Sequence, residues 1–189
     1  GRELGGSVRG ELIVGCFVTL APIFLPRLLK ELQRSHPQLH VHLAEGALDQ
    51  VQAALLAGET EISLVYDIDL DRQLATEELT RVRPHVLVAS NHHLATHSTV
   101  TLSALAAEPM ILLDLPHSRD YFRSLFFNAG VEPVIRHRTQ SFELVRGLVG
   151  QGHGYSVLNL QPRSNRTYDG GRVIYIPIED PTTNLAIVI

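Results

Sequence analysis

The chain has 189 residues, of which 44% are hydrophobic and 19% charged, as is ordinary for a globular protein that buries its own core. Its formal net charge is -4, without the basic excess that duplex DNA binding requires, so the chain alone should bind DNA poorly. The single cysteine, Cys16, excludes an internal disulfide and a thiolate zinc site, and no apolar run approaches the ~20 residues of a membrane span, so we expect a cytoplasmic protein.

Strand and helix patterns alternate in the first half of the chain. They predict strands at residues 11–18, 39–43 and 62–66 and helices at residues 22–35 and 48–57. Pro26 suits the first turn of its helix but not the interior, and Gly58 is suited to end the second helix. This β-α-β-α-β series predicts a parallel sheet flanked by helices.

The alternation stops at residues 67–78, which are acidic and unpatterned, and then resumes in the second half. We predict strands at residues 86–90, 110–113, 134–138, 155–158, 173–177 and 185–189 and helices at residues 118–128 and 141–149. The two halves therefore predict two similar α/β lobes.

Three turns that lead from a strand into a helix carry polar groups, at Thr19, at Ser118 and at Gln140 with Ser141. Open α/β sheets bind ligands at the carboxyl ends of their strands, and helix N-termini there favour anions. The alternative is that each hydroxyl only caps its own helix, which is the better interpretation for any single turn. Two lobes that present such turns to each other favour a ligand cleft.

Other motifs predict no catalysis and no metal. Gly150, Gly152 and Gly154 follow a helix rather than a strand, which indicates a tight helix-to-strand connection instead of a phosphate loop. His93 and His97 have the i, i+4 spacing but no helical pattern around them, so we expect solvated loop histidines. No G-x-S-x-G elbow occurs, and Cys16 lies within an apolar strand. We therefore predict neither an enzyme nor a cofactor.

The order of these segments resembles the C-terminal effector-binding domain of LysR-type transcription regulators. The resemblance is carried by GELIVG at 10–15, LPRLL at 25–29, HPQLHV at 36–41, LLAGE at 55–59, HHLA at 92–95 and GHGYSVL at 152–158. One departure is His93, because the family often has proline there, in the sequence His-Pro-Leu-Ala. The series covers nearly the whole chain.

The resemblance implies an α/β fold of two Rossmann-like lobes joined by two crossovers, as in type 2 periplasmic-binding proteins. Lobe I would comprise residues 11–84 and 163–189, and lobe II residues 85–162, with crossovers near residues 83–85 and 159–162. Residues 1–10 would be the end of a linker. An N-terminal winged helix-turn-helix domain, absent from this chain, would bind promoter DNA.

The resemblance also implies a small-molecule effector, such as a small organic acid, in a cleft between the lobes. The implied lining is Val18, Thr19, Ala47, Tyr66, Asp67, His117, Ser118, Gln140 and Ser141. The protein would form a homodimer or homotetramer, with dimer contacts from helices 22–35 and 118–128, and would not contact a membrane. Two alternatives share the fold: a secreted solute-binding protein of an importer, and a transferase similar to porphobilinogen deaminase.

Overall fold

The computed structural model describes residues 8–189, which form ten strands, four helices and one 3₁₀ turn. Residues 1–7 of the predicted linker end lie outside the described residues. Arg9 and Gly10, which were also assigned to the linker, belong to the first strand. None of the helices in the described part has the length and hydropathy needed to cross a membrane.

The first half contains all five predicted elements. They are β1 (Arg9–Phe17), α1 (Ala21–Ser35), β2 (Gln38–Gly46), α2 (Leu48–Leu56) and β3 (Ile62–Tyr66). The predicted helix at residues 22–35 is present as α1, but Pro26 lies inside it rather than in its first turn. Pro26 has no N–H to donate to the carbonyl of Pro22, four residues earlier. Both residues are exposed, so water can replace the missing hydrogen bond. Gly58 follows α2 with φ 72°, the left-handed conformation expected at a helix end.

The first sheet is parallel at its centre. β1 pairs with β2 along nine residues on one side and with β3 on the other. Two further strands, β4 (Glu78–Val82) and β10 (Leu185–Val188), complete the strand order β2-β1-β3-β10-β4, with β10 antiparallel to β3. The sequence does not predict β4, because its residues show no alternation of apolar and polar side chains. In the structure, four of its five residues are exposed.

The second half repeats this arrangement. Its elements are β5 (His85–Ala89), a 3₁₀ turn (Leu102–Leu105), β6 (Pro109–Leu113), α3 (Ser118–Asn128), β7 (Val134–Thr139), α4 (Phe142–Gly150), β8 (Ser156–Leu158) and β9 (Val173–Pro177). Tyr155 N–H donates to Pro109 O at 3.0 Å and Ile111 N–H donates to Tyr155 O at 2.7 Å, which links the pair β6-β7 to the sheet β8-β5-β9. The resulting order β7-β6-β8-β5-β9 has the topology of the first sheet.

The chain divides into two compact units, one made of residues up to Leu79 with Ile187–Ile189, the other of Thr80–Ala186. This division differs from the predicted lobe boundaries for residues 80–84 and 163–186. For residues 163–186 the reason is that β9 pairs with β5 over all five of its residues, which keeps this segment in the second unit. The chain therefore returns to the first unit at residues 186–187, and not at the predicted crossover near residues 159–162.

Each unit has its own apolar core. In the first unit, the rings of Phe17 and Tyr66 pack edge to face with centroids 5.7 Å apart. In the second, Phe126 on α3 and Tyr155 beside β8 are both fully buried. Gly154 allows the close approach of β6, since a Cβ there would collide with the carbonyl oxygen of Pro109. These cores fix the strand ends on which the candidate site residues lie.

Candidate functional site

Two predicted site residues form the turn after β1. Val18 is half-buried and its N–H donates to Gly46 O at 2.9 Å, which joins the ends of β1 and β2. Thr19 is 6% exposed and precedes Leu20, the N-cap of α1. The N-cap residue of α1 is Leu20 and no side-chain hydrogen bond caps this helix, so the alternative that Thr19 caps α1 is wrong.

Ala47 lies at the N-terminus of α2, next to the Val18 turn. It is the N-cap residue, and its N–H donates to Gln50 Oε1 at 3.0 Å, so a glutamine supplies the capping contact. Ala47 itself offers no side-chain hydrogen bond to a ligand.

Tyr66 and Asp67 follow at the carboxyl end of β3. Tyr66 is 3% exposed and packs on Phe17, so its ring belongs to the core, whereas Asp67 is exposed. Because β1, β2 and β3 are parallel neighbours, all the predicted residues of the first unit lie at one edge of its sheet.

The turn between β6 and α3 holds His117 and Ser118. His117 has φ 63° and ψ -47°, and Ser118 N–H donates to Pro116 O at 2.7 Å, which is the geometry of a γ-turn. As a result His117 is the N-cap residue, and Ser118 is drawn inside the first turn with only 4% of its surface exposed. Its Oγ is buried and makes no hydrogen bond within the described part of the chain.

An ion pair lies beside this turn. Arg119 Nη1 donates to Asp114 Oδ1 at 2.8 Å, and this carboxylate raises the pKa of Arg119. The guanidinium is thus already engaged, and the unpaired polar group of the turn is the Ser118 hydroxyl.

Ser141 caps its own helix, α4, as predicted by the alternative to ligand binding. Its Oγ accepts a hydrogen bond from Leu144 N at 3.2 Å, and its own N–H donates to Thr139 Oγ1 at 3.1 Å. Ser141 and Gln140 are both exposed. Asp114 N–H donates to Thr139 O at 2.8 Å, so the turns after β6 and β7 are adjacent in the second unit.

Sequence reasoning missed a cluster of His92, His93 and Glu108. The two histidines follow β5, and Glu108 precedes β6. The i, i+4 spacing relates His93 to His97, but the structure places His93 against Glu108 instead. Burial alone would raise the pKa of Glu108, but hydrogen bonds from His92 and His93 outweigh it and hold that pKa below its ordinary value.

Cys16 lies inside β1, as predicted. It is fully buried, and burial, with a smaller contribution from the charge of Glu45, raises the pKa of its thiol to about 12. A thiolate is therefore strongly disfavoured at neutral pH.

Comparison with known proteins gives consistent results. The family description LysR substrate binding domain matches residues 5–189. The hydrogen peroxide-inducible genes activator of Pectobacterium carotovorum is 27% identical over 181 residues, which are 95% of this chain and 59% of that protein. The chain thus spans well under two thirds of the length of this curated relative.

Two solved structures are similar over nearly the whole chain. HinK, a LysR family transcriptional regulator from Pseudomonas aeruginosa, is 38% identical with a TM-score of 0.90, over 97% of this chain and 64% of that one. The C-terminal domain of a probable LysR family transcriptional regulator from Rhodococcus sp. RHA1 is 34% identical with a TM-score of 0.93, over 96% of this chain and 89% of that one.

Proposed function

Because this chain belongs to the LysR substrate-binding domain family, we propose that it is the effector-sensing part of a transcription regulator. The predicted family and the predicted type 2 periplasmic-binding-protein fold are both confirmed. The proposal goes further: the domain binds a small organic acid or related metabolite with groups from both lobes. A separate N-terminal domain of the whole protein would then bind promoter DNA.

The observation that carries this proposal is the Ser118 hydroxyl. A buried polar group without a partner costs roughly 1–3 kcal/mol, so folded proteins rarely keep one unless something else satisfies it. Ser118 Oγ is such a group, and it lies in the first turn of α3, where the helix dipole favours negative charge. A carboxylate or hydroxyl of an effector would supply the missing partner.

Thr19 would be the corresponding contact from the first lobe. It is buried, and it lies in the turn after the central parallel strand of its sheet, as Ser118 does. Ala47 and Tyr66 would shape the site, and Ala47, at the N-terminus of α2, offers a ligand no side-chain hydrogen bond. The negative charge of the Asp67 carboxylate would disfavour a dianionic ligand.

Effector binding would act through lobe orientation. A ligand shifts an equilibrium only by its differential affinity for the two states, so the proposed effector must bind one orientation better. We propose a homodimer whose contacts include α1 and α3, so that a lobe shift alters dimer geometry. Phe127 on α3, with 83% of its surface exposed, would be covered in such a dimer.

A peroxide response by internal disulfide is not part of the proposal, although the curated relative is named for hydrogen peroxide. Such a disulfide needs two cysteines, and Cys16 is the single cysteine of this chain. Its buried thiol, with a pKa of about 12, also lacks the reactive thiolate. We therefore infer a response to binding rather than to thiol oxidation within this domain.

The test is a thermal-shift screen of the 189-residue chain against small acids, amino acids and aromatic metabolites. A ligand at a hundredfold excess over its Kd should add about 2.7 kcal/mol of stability. The shift should fall in both Ser118→Ala and Thr19→Ala, to about half its size for a tenfold loss of affinity. A ligand whose shift is undiminished by both substitutions, or a broad library without any hit, would count against the proposal.

The proposed relay, in which effector binding changes lobe orientation and thereby dimer geometry, has its own test. Structures with and without the ligand should differ in lobe orientation and in dimer contacts. Identical lobe angles and contacts would leave effector binding in place but contradict the relay.

A further inference from the structure

A compact group of metal-ligating side chains lies in the second unit, at a distance in sequence from the residues predicted to bind an effector. His92 Nε2 is 2.6 Å from Glu108 Oε2, and His93 Nε2 is 2.5 Å from Glu108 Oε1. The three ligand atoms lie within 4.8 Å of one another. Among the described residues 8–189, only this group brings three potential ligands so close together.

The backbone holds these residues in place. His92 N–H donates to Ala89 O at 3.0 Å, at the end of β5, and Ala95 N–H returns to His92 O at 2.9 Å. Glu108 N–H donates to Leu105 O at 3.0 Å, at the end of the 3₁₀ turn, directly before β6. The carboxylate and the two rings are therefore presented from anchored segments rather than from a free loop.

The geometry points to a binding site for a divalent transition-metal ion, and we propose that His92, His93 and Glu108 bind Zn²⁺ or a similar ion. Two imidazole nitrogens and one carboxylate suit Zn²⁺, Co²⁺ and Ni²⁺, and water can fill the remaining coordination positions. Without the His93 ring, the site would have only two protein ligands.

Access and charge favour the ion. The side chain of His93 is 67% exposed, whereas those of His92 and Glu108 are 17% and 24% exposed, so an ion can enter from the His93 side. The two rings stack with centroids 4.3 Å apart and an interplanar angle of 26°, which directs both Nε2 atoms at the same carboxylate. The Glu108 carboxylate supplies a negative charge for the cation.

Ion binding requires two adjustments. Tetrahedral metal–ligand bonds of about 2.0–2.2 Å place ligand atoms roughly 3.4 Å apart, so the contacts of both His92 and His93 with Glu108 must lengthen, which the exposed His93 ring can do by moving outward. His92 Nδ1 accepts a hydrogen bond from Leu94 N at 3.1 Å, and this bond is lost when the ring proton moves from Nε2 to Nδ1. The lost bond lowers the affinity roughly tenfold and leaves a site of moderate strength.

The experiment is calorimetric titration of Zn²⁺ into the untagged 189-residue chain near neutral pH, with Co²⁺ absorption spectra to report the ligands. We expect one equivalent to bind, and His93→Ala and Glu108→Gln to weaken it at least ~10-fold, because even the loss of an outer partner of a metal ligand costs about that much. Circular dichroism would confirm that both variants fold.

Two other histidines provide matched controls. His97→Ala removes an exposed imidazole from the same loop, and His42→Ala removes one that lies 3.9 Å from Glu11 on the first sheet. Both variants should bind Zn²⁺ as the unsubstituted chain does. Failure of the unsubstituted chain to bind Zn²⁺, binding that survives His93→Ala, or binding lost in His42→Ala would each overturn the proposal.

Discussion

Arg146 and Glu143 form an ion pair within α4, with Arg146 Nη1 2.6 Å from Glu143 Oε2 and side-chain exposures of 4% and 20%. The same guanidinium donates to Ser164 O at 2.7 Å and to Tyr175 Oη at 3.2 Å. Burial alone would lower the pKa of Arg146, but its partners outweigh this effect and raise it. One side chain thus joins α4, β9 and the segment between β8 and β9.

Arg146→Met should destabilise the fold strongly. It leaves the partly buried carboxylate of Glu143 and the carbonyl of Ser164 without a charged donor, and breaking a buried pair costs about 3–5 kcal/mol. Urea unfolding measures the change. Arg34→Met is the control, because its pair with Glu31 is exposed and should be worth less than ~1 kcal/mol. Equal effects of the two substitutions would contradict this assignment.

His85 should make the fold less stable in mild acid. Burial lowers its pKa from 6.5 to about 4, and its Nε2 is buried without a partner among the described residues. Between these two pH values the unfolded chain binds the extra proton, so stability falls as the pH falls.

The check compares His85→Phe with the unsubstituted chain at pH 7 and pH 5. Phenylalanine keeps a ring against Tyr175, whose centroid is 4.8 Å away, but cannot be protonated. The unsubstituted chain should lose roughly 1–2 kcal/mol more than the variant over this interval. Parallel losses in both proteins would show that His85 does not contribute.

Two glycines of neighbouring elements should respond to alanine in opposite directions. Gly147 is inside α4 with open space at its Cβ position, so Gly147→Ala should stabilise the fold by ~0.5–1 kcal/mol. A Cβ at Gly154 would collide with the Pro109 carbonyl, so Gly154→Ala should cost about 1–3 kcal/mol. Urea midpoints that move in the same direction for both variants would refute this account.

Elements with strong apolar patterns could be predicted from the sequence, whereas exposed edges and partners across the sheet could not. α3 begins and ends at the predicted residues, since its pattern and the following Gly130 agree. β4 is exposed at the sheet edge and shows no alternation. β9 belongs to the second unit because it pairs with β5, and the periodicity of a sequence cannot reveal such a pairing.

The candidate site shows the same limit. Ser141 caps its helix as its local sequence suggests, but the similar Ser118 does not. The difference arises from His117, whose positive φ has no glycine to signal it. Likewise, Glu108 meets His92 and His93 only because a turn of the chain, with no pattern of its own, brings them together.

Cys16 should be inert in the folded protein. It is fully buried, and its pKa of about 12 leaves almost no thiolate at neutral pH. A chromogenic disulfide reagent should therefore titrate no thiol in native buffer and one thiol per chain in urea. Rapid reaction of the native protein, or oxidation of Cys16 by dilute peroxide without unfolding, would contradict this prediction and reopen a thiol-based response.

The effects of Ser118→Ala on stability and on binding should separate. Its hydroxyl has no partner within residues 8–189, so its removal should leave the free energy of unfolding unchanged or raise it by up to ~1 kcal/mol. Ser141→Ala removes a helix cap and should cost ~1 kcal/mol.

The effect on ligand binding should be in the opposite order. For the acid that stabilises the unsubstituted chain most, Ser118→Ala should weaken binding more than Ser141→Ala does. Ser118→Ala should weaken binding about tenfold or more, because the ligand loses a hydrogen bond from a buried donor. Urea unfolding without ligand and thermal shifts with ligand measure the two quantities separately. If Ser118→Ala destabilised the free domain and left ligand binding intact, the hydroxyl would be a structural group, and the effector would have to bind elsewhere.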